Sequence, residues 1–208
     1  MSSSKLQSRG LARRQAMLQA ATELFLAQGY DNTSLSDILE LSKGSRSTLY
    51  EQFGNKEGLL KAIIERSLEE ISHAIDGMED IPELNEDGLV EVGMRFLRHI
   101  IEPQSLGVFR LMVGVGYRLP ELSAYVNDRC QREIDCRLAD IFRRRLPTVR
   151  ENKVSAEELA VFFLWTVTGD IHFQHAIGVP QSLTEEQVER LIRDRVRLFL
   201  YGLAGMQA

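Results

Sequence analysis

The segment Ser34-Leu-Ser-Asp-Ile-Leu-Glu-Leu-Ser42, then Lys43-Gly44, then Ser45-Arg-Ser-Thr-Leu-Tyr-Glu-Gln-Phe53 decides the fold. It reads as two short helices around a tight turn. Ser34 is placed to cap the first helix, and Asp37, three residues on, completes a capping-box-like pair. Leu35, Ile38, Leu39 and Leu41 are expected to supply its buried face. Ser45 opens the second helix and Gly54 closes it. Leu49 and Phe53 lie four apart and share the inward face. Arg46, Ser47, Thr48 and Tyr50 are left to face outward.

Helical spacing continues on both sides. Upstream, Met17, Ala21, Leu24 and Phe25 form an apolar stripe that predicts a helix over about 10–28, stopped by Gly29. Downstream, Leu60, Ile64, Leu68, Ile71, Ile75 and Met78 recur at three and four, which predicts a long helix over about 56–78 opened by Asn55. Further helices are expected at about 85–102, 104–115 and 120–146, punctuated by Pro103, Gly116 and Pro147. Ser155…Glu158 and Thr184…Gln187 are capping boxes, opening two helices that end near Ala176 and Ala204. No run alternates with period two. The fold class expected is all-α, with about nine helices.

The chain has 208 residues, 44% hydrophobic and 26% charged, which excludes disordered and fibrous classes. The N-terminal residues lack the apolar stretch of a signal peptide, and the longest apolar run, 160–165, is far too short to span a bilayer. A cytoplasmic protein with no membrane partner is therefore expected. Cys130 and Cys136 match no zinc motif and are read as small packed residues. The net charge is −5, yet the charges are unevenly placed. Residues 1–56 carry seven basic groups (Lys5, Arg9, Arg13, Arg14, Lys43, Arg46, Lys56) against five acidic ones, net +2, leaving −7 for the rest. Local charge sets a phosphate footprint, so an acidic total does not exclude nucleic acid.

Two short helices leaning on a preceding one form a helix-turn-helix, whose second helix fits the major groove and offers its N-terminal side chains to base edges. Thr33-Ser-Leu-Ser-Asp-Ile38, Ser45-Arg-Ser-Thr-Leu-Tyr50, Phe53-Gly-Asn-Lys-Glu57 and Leu59-Leu60, with Ala20-Ala-Thr-Glu-Leu-Phe25 and Gly29-Tyr30 upstream, closely resemble the signature of the TetR family of one-component repressors. The resemblance covers roughly the first 65 residues without a gap. It implies an all-helical homodimer with a three-helix DNA-binding domain, here 10–56, and a helical ligand-binding and dimerisation domain, here 57–208. It also implies repression of a near-palindromic operator, relieved by a small-molecule effector. One position departs from the family: glycine followed by a small apolar residue is replaced by Lys43-Gly44, which moves the glycine by one.

The DNA-contact set is Thr33, Ser34, Ser36, Lys43, Ser45, Arg46, Ser47, Thr48, Tyr50 and Lys56. Arg46 suits guanine O6 and N7. Ser45 caps its helix and aims backbone N–H groups at a phosphate. Tyr50 and Lys56 match family positions that hold phosphates. Lys56 opposes the dipole of the helix it opens, a cost that a phosphate would offset. Arg13 and Arg14 are balanced between phosphate contact and plain exposure, and Lys5 and Arg9 suggest a basic arm. Arg143-Arg-Arg145 is read as a solvated helix end.

Candidate effector-lining residues are Phe96, His99, Ile100, Phe109, Met112, Tyr117, Tyr125, Phe162, Trp165 and His172, with ordinary core as the competing reading. His172 and His175 lie three apart, but no third ligand completes a standard metal site, so no metal and no cofactor is expected. Val161, Leu164, Val167, Ile171, Leu191, Ile192, Leu198 and Phe199 are the expected two-fold interface. Neither a nucleophile–base pair nor a phosphate loop is evident, so the chain is not read as an enzyme. A regulator without a ligand, gated by a partner protein or by abundance, is the alternative.

Overall fold

The computed structural model describes residues 2–78, 84–146, 154–180 and 182–205. It is all-α, with no strand among the described residues. The helices are α1 Ser2–Gln28, α2 Leu35–Ser42, α3 Arg46–Phe53, α4 Lys56–Ser72, α5 Glu86–Ile100, α6 Pro103–Gly116, α7 Pro120–Cys130, α8 Cys136–Arg145, α9 Ala156–Ala176 and α10 Glu185–Gly205. Two expected boundaries differ. α1 begins at Ser2, well before Gly10. α4 stops at Ser72 and tightens into a 3₁₀ turn, His73–Ile75, so the stripe that reaches Met78 outlasts the α-helix.

The expected single helix over 120–146 is interrupted. Five residues, Gln131–Asp135, wind as π-helix between α7 and α8. A π segment inserts an extra residue per turn and rotates the apolar face that follows it. Cys130 and Cys136 flank this segment. Cys136 is a half-buried free thiol, and the side chain of Cys130 lies outside the described residues.

Contacts divide the chain into two compact units, 1–67 with 107–126, and 68–106 with 127–208. In the first, α1, α2 and α3 close on Met17, Ala21, Phe25, Ile38 and Leu49, all essentially inaccessible. The 107–126 segment belongs to this body. A β-carbon on Gly107 would stand 2.8 Å from Leu26 Cδ2, and the Arg118 guanidinium donates to the Asp31 carboxylate at 2.9 Å. Tyr125 donates its hydroxyl to Glu65, and the Lys61 ammonium lies 3.6 Å from its ring centroid.

The second unit is built on α5, α8, α9 and α10. Phe142, Phe163 and Phe199 form its aromatic centre, with Phe163–Phe199 centroids 5.2 Å apart at 67° and Phe142–Phe163 centroids 5.6 Å apart at 80°. Such edge-on pairs add roughly 0.5–1.5 kcal/mol each beyond burial. Gly93 of α5 lets three helices converge, since a β-carbon there would meet Ile192 at 3.0 Å and Val167 at 3.5 Å. Arginines bind the polar edges. Arg193 reaches Asp87 at 2.6 Å and Glu86 at 3.2 Å, while Arg195 grips Asp170 with two nitrogens at 2.6 and 2.7 Å.

Candidate DNA-binding surface

Each short helix of the motif carries its own start signal. Ser34 is extended and its Oγ accepts from the Asp37 N–H at 3.1 Å, while Asp37 Oδ2 accepts from the Ser34 N–H at 2.9 Å. The Ser34 N–H first, and the Ser34 hydroxyl next, favour the charged carboxyl and hold Asp37 below its ordinary pKa. Ser45 caps α3 by accepting from the Thr48 N–H at 3.2 Å. Its Oγ also lies 3.0 Å from Ser47 Oγ and 2.8 Å from Thr48 Oγ1. Three hydroxyls thus form a cluster at the first turn of α3.

Leu49 is fully buried and Phe53 nearly so, which fixes the roll of α3 about its axis. Arg46, Ser47 and Tyr50 face solvent, and Thr48 is half-buried. Arg14 of α1 lies over the Phe53 ring, 5.2 Å from its centroid, while Arg13 is exposed. Ser34, Ser36 and Lys43 are exposed as well. The side chains of Lys5 and Arg9 lie outside the described residues.

Thr33 is the correction in the expected contact set. It is 1% exposed, and its hydroxyl donates to the Gly29 carbonyl at 2.9 Å. Its side chain locks the turn between α1 and α2 instead of reaching outward. Lys56 is half-buried, with Nζ 4.3 Å from the Tyr30 ring centroid and 3.4 Å from the Asp31 carbonyl. Partial desolvation lowers its pKa, and the Asp31 charge opposes that shift. Asp31 is itself held low by the Arg118 hydrogen bond first and its charge next. Sequence reading missed this Tyr30–Asp31–Lys56–Arg118 group, because Arg118 lies far away along the chain.

The displaced glycine is resolved in physical terms. Lys43 adopts the left-handed conformation, φ 52° and ψ 34°, as the C-cap of α2, and its N–H reaches the Glu40 and Leu39 carbonyls. Gly44 meets a different constraint. A β-carbon there would overlap Cε of the buried Met17 and lie 3.3 Å from its Cγ.

The expected interface residues divide by burial. Leu164, Val167, Ile171, Ile192 and Phe199 are buried in the chain's own core and are corrected to core residues. Leu191 is half-buried, while Val161 and Leu198 are exposed. Beside them Phe162, Trp165 and Phe173 of α9 and Tyr201 of α10 are exposed. Phe162 and Trp165, expected from the sequence to line an effector pocket, are exposed instead. Tyr117 is fully exposed, so it is no lining residue of this chain either. Phe96 and Ile100 are buried in the second unit, with His99 and His172 half-buried. Phe109, Met112 and Tyr125 are half-buried in the first unit. Burial lowers the His172 pKa, and His175 adds to that shift. Arg143 and Arg144, at the end of α8, are exposed as expected, and Arg143 also pairs with Asp140 and Glu157 at the surface.

A profile described as bacterial regulatory proteins of the tetR family matches residues 17–63. A second, described as the C-terminal domain of AefR-like transcriptional repressors, matches residues 87–202. The HTH-type transcriptional repressor ComR of Escherichia coli (strain K12) is 43% identical over 56 residues, 27% of each chain. The HTH-type transcriptional regulator HbdR of Aromatoleum sp. (strain CIB) is 34% identical over 70 residues, 32% of this chain and 31% of that one. The chain thus spans under a third of the length of these curated relatives. Among solved structures, a protein described as a TetR-family transcriptional regulator from Mesorhizobium loti MAFF303099 superposes with a TM-score of 0.80 at 20% identity, covering 93% of this chain and 98% of that one. The flavonoid-responsive regulator FrrA superposes with a TM-score of 0.75 at 24% identity, covering 91% and 96%. At these identities the superpositions show the fold.

Proposed function

The chain belongs to the TetR family of bacterial transcriptional regulators, and from that premise we propose that it is a homodimeric repressor of a near-palindromic operator, released by a small molecule. In this reading residues 10–56 bind DNA, and 57–208 dimerise and take the effector. The observation that carries it is the first turn of α3. Ser45, Arg46 and Ser47 are exposed there over a base fixed by the buried Leu49 and Phe53.

Arg46 reads a base edge, with Ser47 and Thr48 beside it. Ser34, Ser36, Lys43, Tyr50 and Lys56 hold phosphates and set register. Lys56 leaves the Tyr30 face to do so. Its present partners are a ring and a carbonyl, and both are weaker attractions than a phosphate. The exposed apolar face of α9 and α10 supports pairing with a second copy, which places two recognition helices about 34 Å apart. For the effector, Phe96, Ile100, His99 and His172 stay the candidate lining in the second unit and would suit a mostly apolar ligand. Such a ligand acts by favouring the dimer whose recognition helices do not match successive major grooves.

The test is a mobility-shift assay with the DNA upstream of the protein's own gene. A sequence-specific shift, lost in Arg46→Ala, is expected. A shift that is indifferent to both operator sequence and Arg46 would overturn the reading.

A further inference from the structure

A cleft of about 230 Å³ opens in the second unit between α5, α9 and the start of α10. Met94, Leu97 and Ile101 of α5, Ile171 of α9 and Val188 of α10 form its walls. None of the residues expected from sequence to line an effector site lies on it, so it stands apart from the effector reading above. Its size restricts the occupant. An apolar cavity of roughly 150 Å³ admits a benzene ring, and drug-sized pockets begin near 300 Å³. This cleft therefore fits one ring with a small substituent. The Met94 thioether is a favourable neighbour for such a ring.

The rim supplies the polar end. The Arg98 guanidinium donates to Glu185 Oε1 at 2.5 Å across the mouth, linking α5 to the first turn of α10. Both side chains are largely exposed, 56% and 73%, so water and salt weaken the pair. A guanidinium has five N–H donors in a planar fork, and Glu185 takes one of its terminal nitrogens. Glu185 thus shows that Arg98 is aimed to receive a carboxylate at this mouth. The start of α10 favours negative charge at the same place. Gln174 and His175 complete the rim. His175 Nδ1 lies 2.8 Å from the Ile171 carbonyl, which can only accept, so Nδ1 carries a proton and the ring is fixed.

The geometry points to a binding site for a small aromatic monocarboxylate: the ring lies among Met94, Leu97, Ile171 and Val188, and the carboxylate takes the place of Glu185 on Arg98. No bond is made or broken. The ligand exchanges an intramolecular carboxylate for its own and buries its ring.

Ligand-observed saturation-transfer NMR on the full-length protein tests this, with benzoate as probe and benzamide as its uncharged counterpart. Benzoate is expected to bind more tightly than benzamide, by about tenfold for a charge-assisted pair. Arg98→Met should remove that preference. Glu185→Gln should tighten benzoate binding, because it removes the competing carboxylate and leaves the buried core untouched. Val188→Trp should abolish binding by filling the cleft, with circular dichroism reporting that the helices persist. Three results would each overturn the assignment: no transfer to benzoate, equal binding of benzamide, or benzoate binding that survives Val188→Trp.

Discussion

Gly44 and Met17 pack so closely that a β-carbon at residue 44 would push the Met17 side chain aside, while the neighbouring Lys43 carries the positive φ that usually calls for glycine. The two constraints fall on neighbouring residues. Gly44→Ala should destabilise the protein by about 1 kcal/mol as the buried Met17 shifts, and in a Met17→Ala background, itself destabilised by the lost core side chain, the same change should cost less. Lys43→Gly should stabilise it by roughly 1 kcal/mol through relief of the left-handed backbone. Urea unfolding of the single and double variants measures both effects. Additive losses for positions 17 and 44 would rule out the packing account.

The caps were legible in the sequence because a serine with an acidic partner three residues on acts locally. Ser34–Asp37 and Ser155–Glu158 formed as read. The π segment at Gln131–Asp135 was not legible, since apolar spacing cannot distinguish one extra residue from ordinary drift. Nor was the Asp31–Arg118 pair, because no local pattern joins residues 87 apart. In α9 the sequence marks the helix but not its inward side. Phe162 and Phe163 are chemically identical neighbours, yet one is exposed and the other is at the aromatic centre. A helix that is apolar all round does not reveal which side meets its own chain.

The exposed face can be separated from the core by mutation. Trp165→Glu should shift the protein to monomer in sedimentation equilibrium while leaving the unfolding midpoint of the monomer nearly unchanged. Val167→Ala should lower stability by roughly 1–3 kcal/mol through lost burial, with no direct effect on the interface. A Trp165→Glu protein that stays dimeric would place the interface elsewhere.

Ser45 allows stability and DNA binding to be read apart. Ser45→Asp keeps a good N-cap, so thermal stability should hold, whereas Ser45→Ala should lose about 0.5–2 kcal/mol. The aspartate adds a negative charge at the proposed phosphate contact, so Ser45→Asp should weaken operator binding more than Ser45→Ala does. Fluorescence anisotropy with labelled operator, beside thermal melts, tests the crossover. The same rank order in both assays would count against a phosphate at this turn.

The acid limb of stability should depend on Asp170. The Arg195 hydrogen bonds are the main cause holding its carboxyl below the ordinary range. A carboxyl lowered on folding contributes fully above its unfolded pKa and loses that contribution as pH falls through the folded one. The fall should therefore lie in the acid range, below the ordinary carboxylate pKa. Melting temperature followed with pH should fall less steeply in Asp170→Asn than in the parent chain. Parallel curves would assign the acid limb to other groups.

The hydroxyl cluster at the start of α3 has a consequence for what the protein can distinguish. The Ser47 and Thr48 hydroxyls both bond to the Ser45 hydroxyl before any partner arrives. A hydroxyl can donate or accept by rotating about one bond, so it tolerates several base identities at little cost. A guanidinium has no such freedom. In an operator read this way, each half-site would have one strictly specified guanine, set by Arg46, flanked by permissive positions. Tolerance in the binding motif would then reflect how many rotatable protons face the groove.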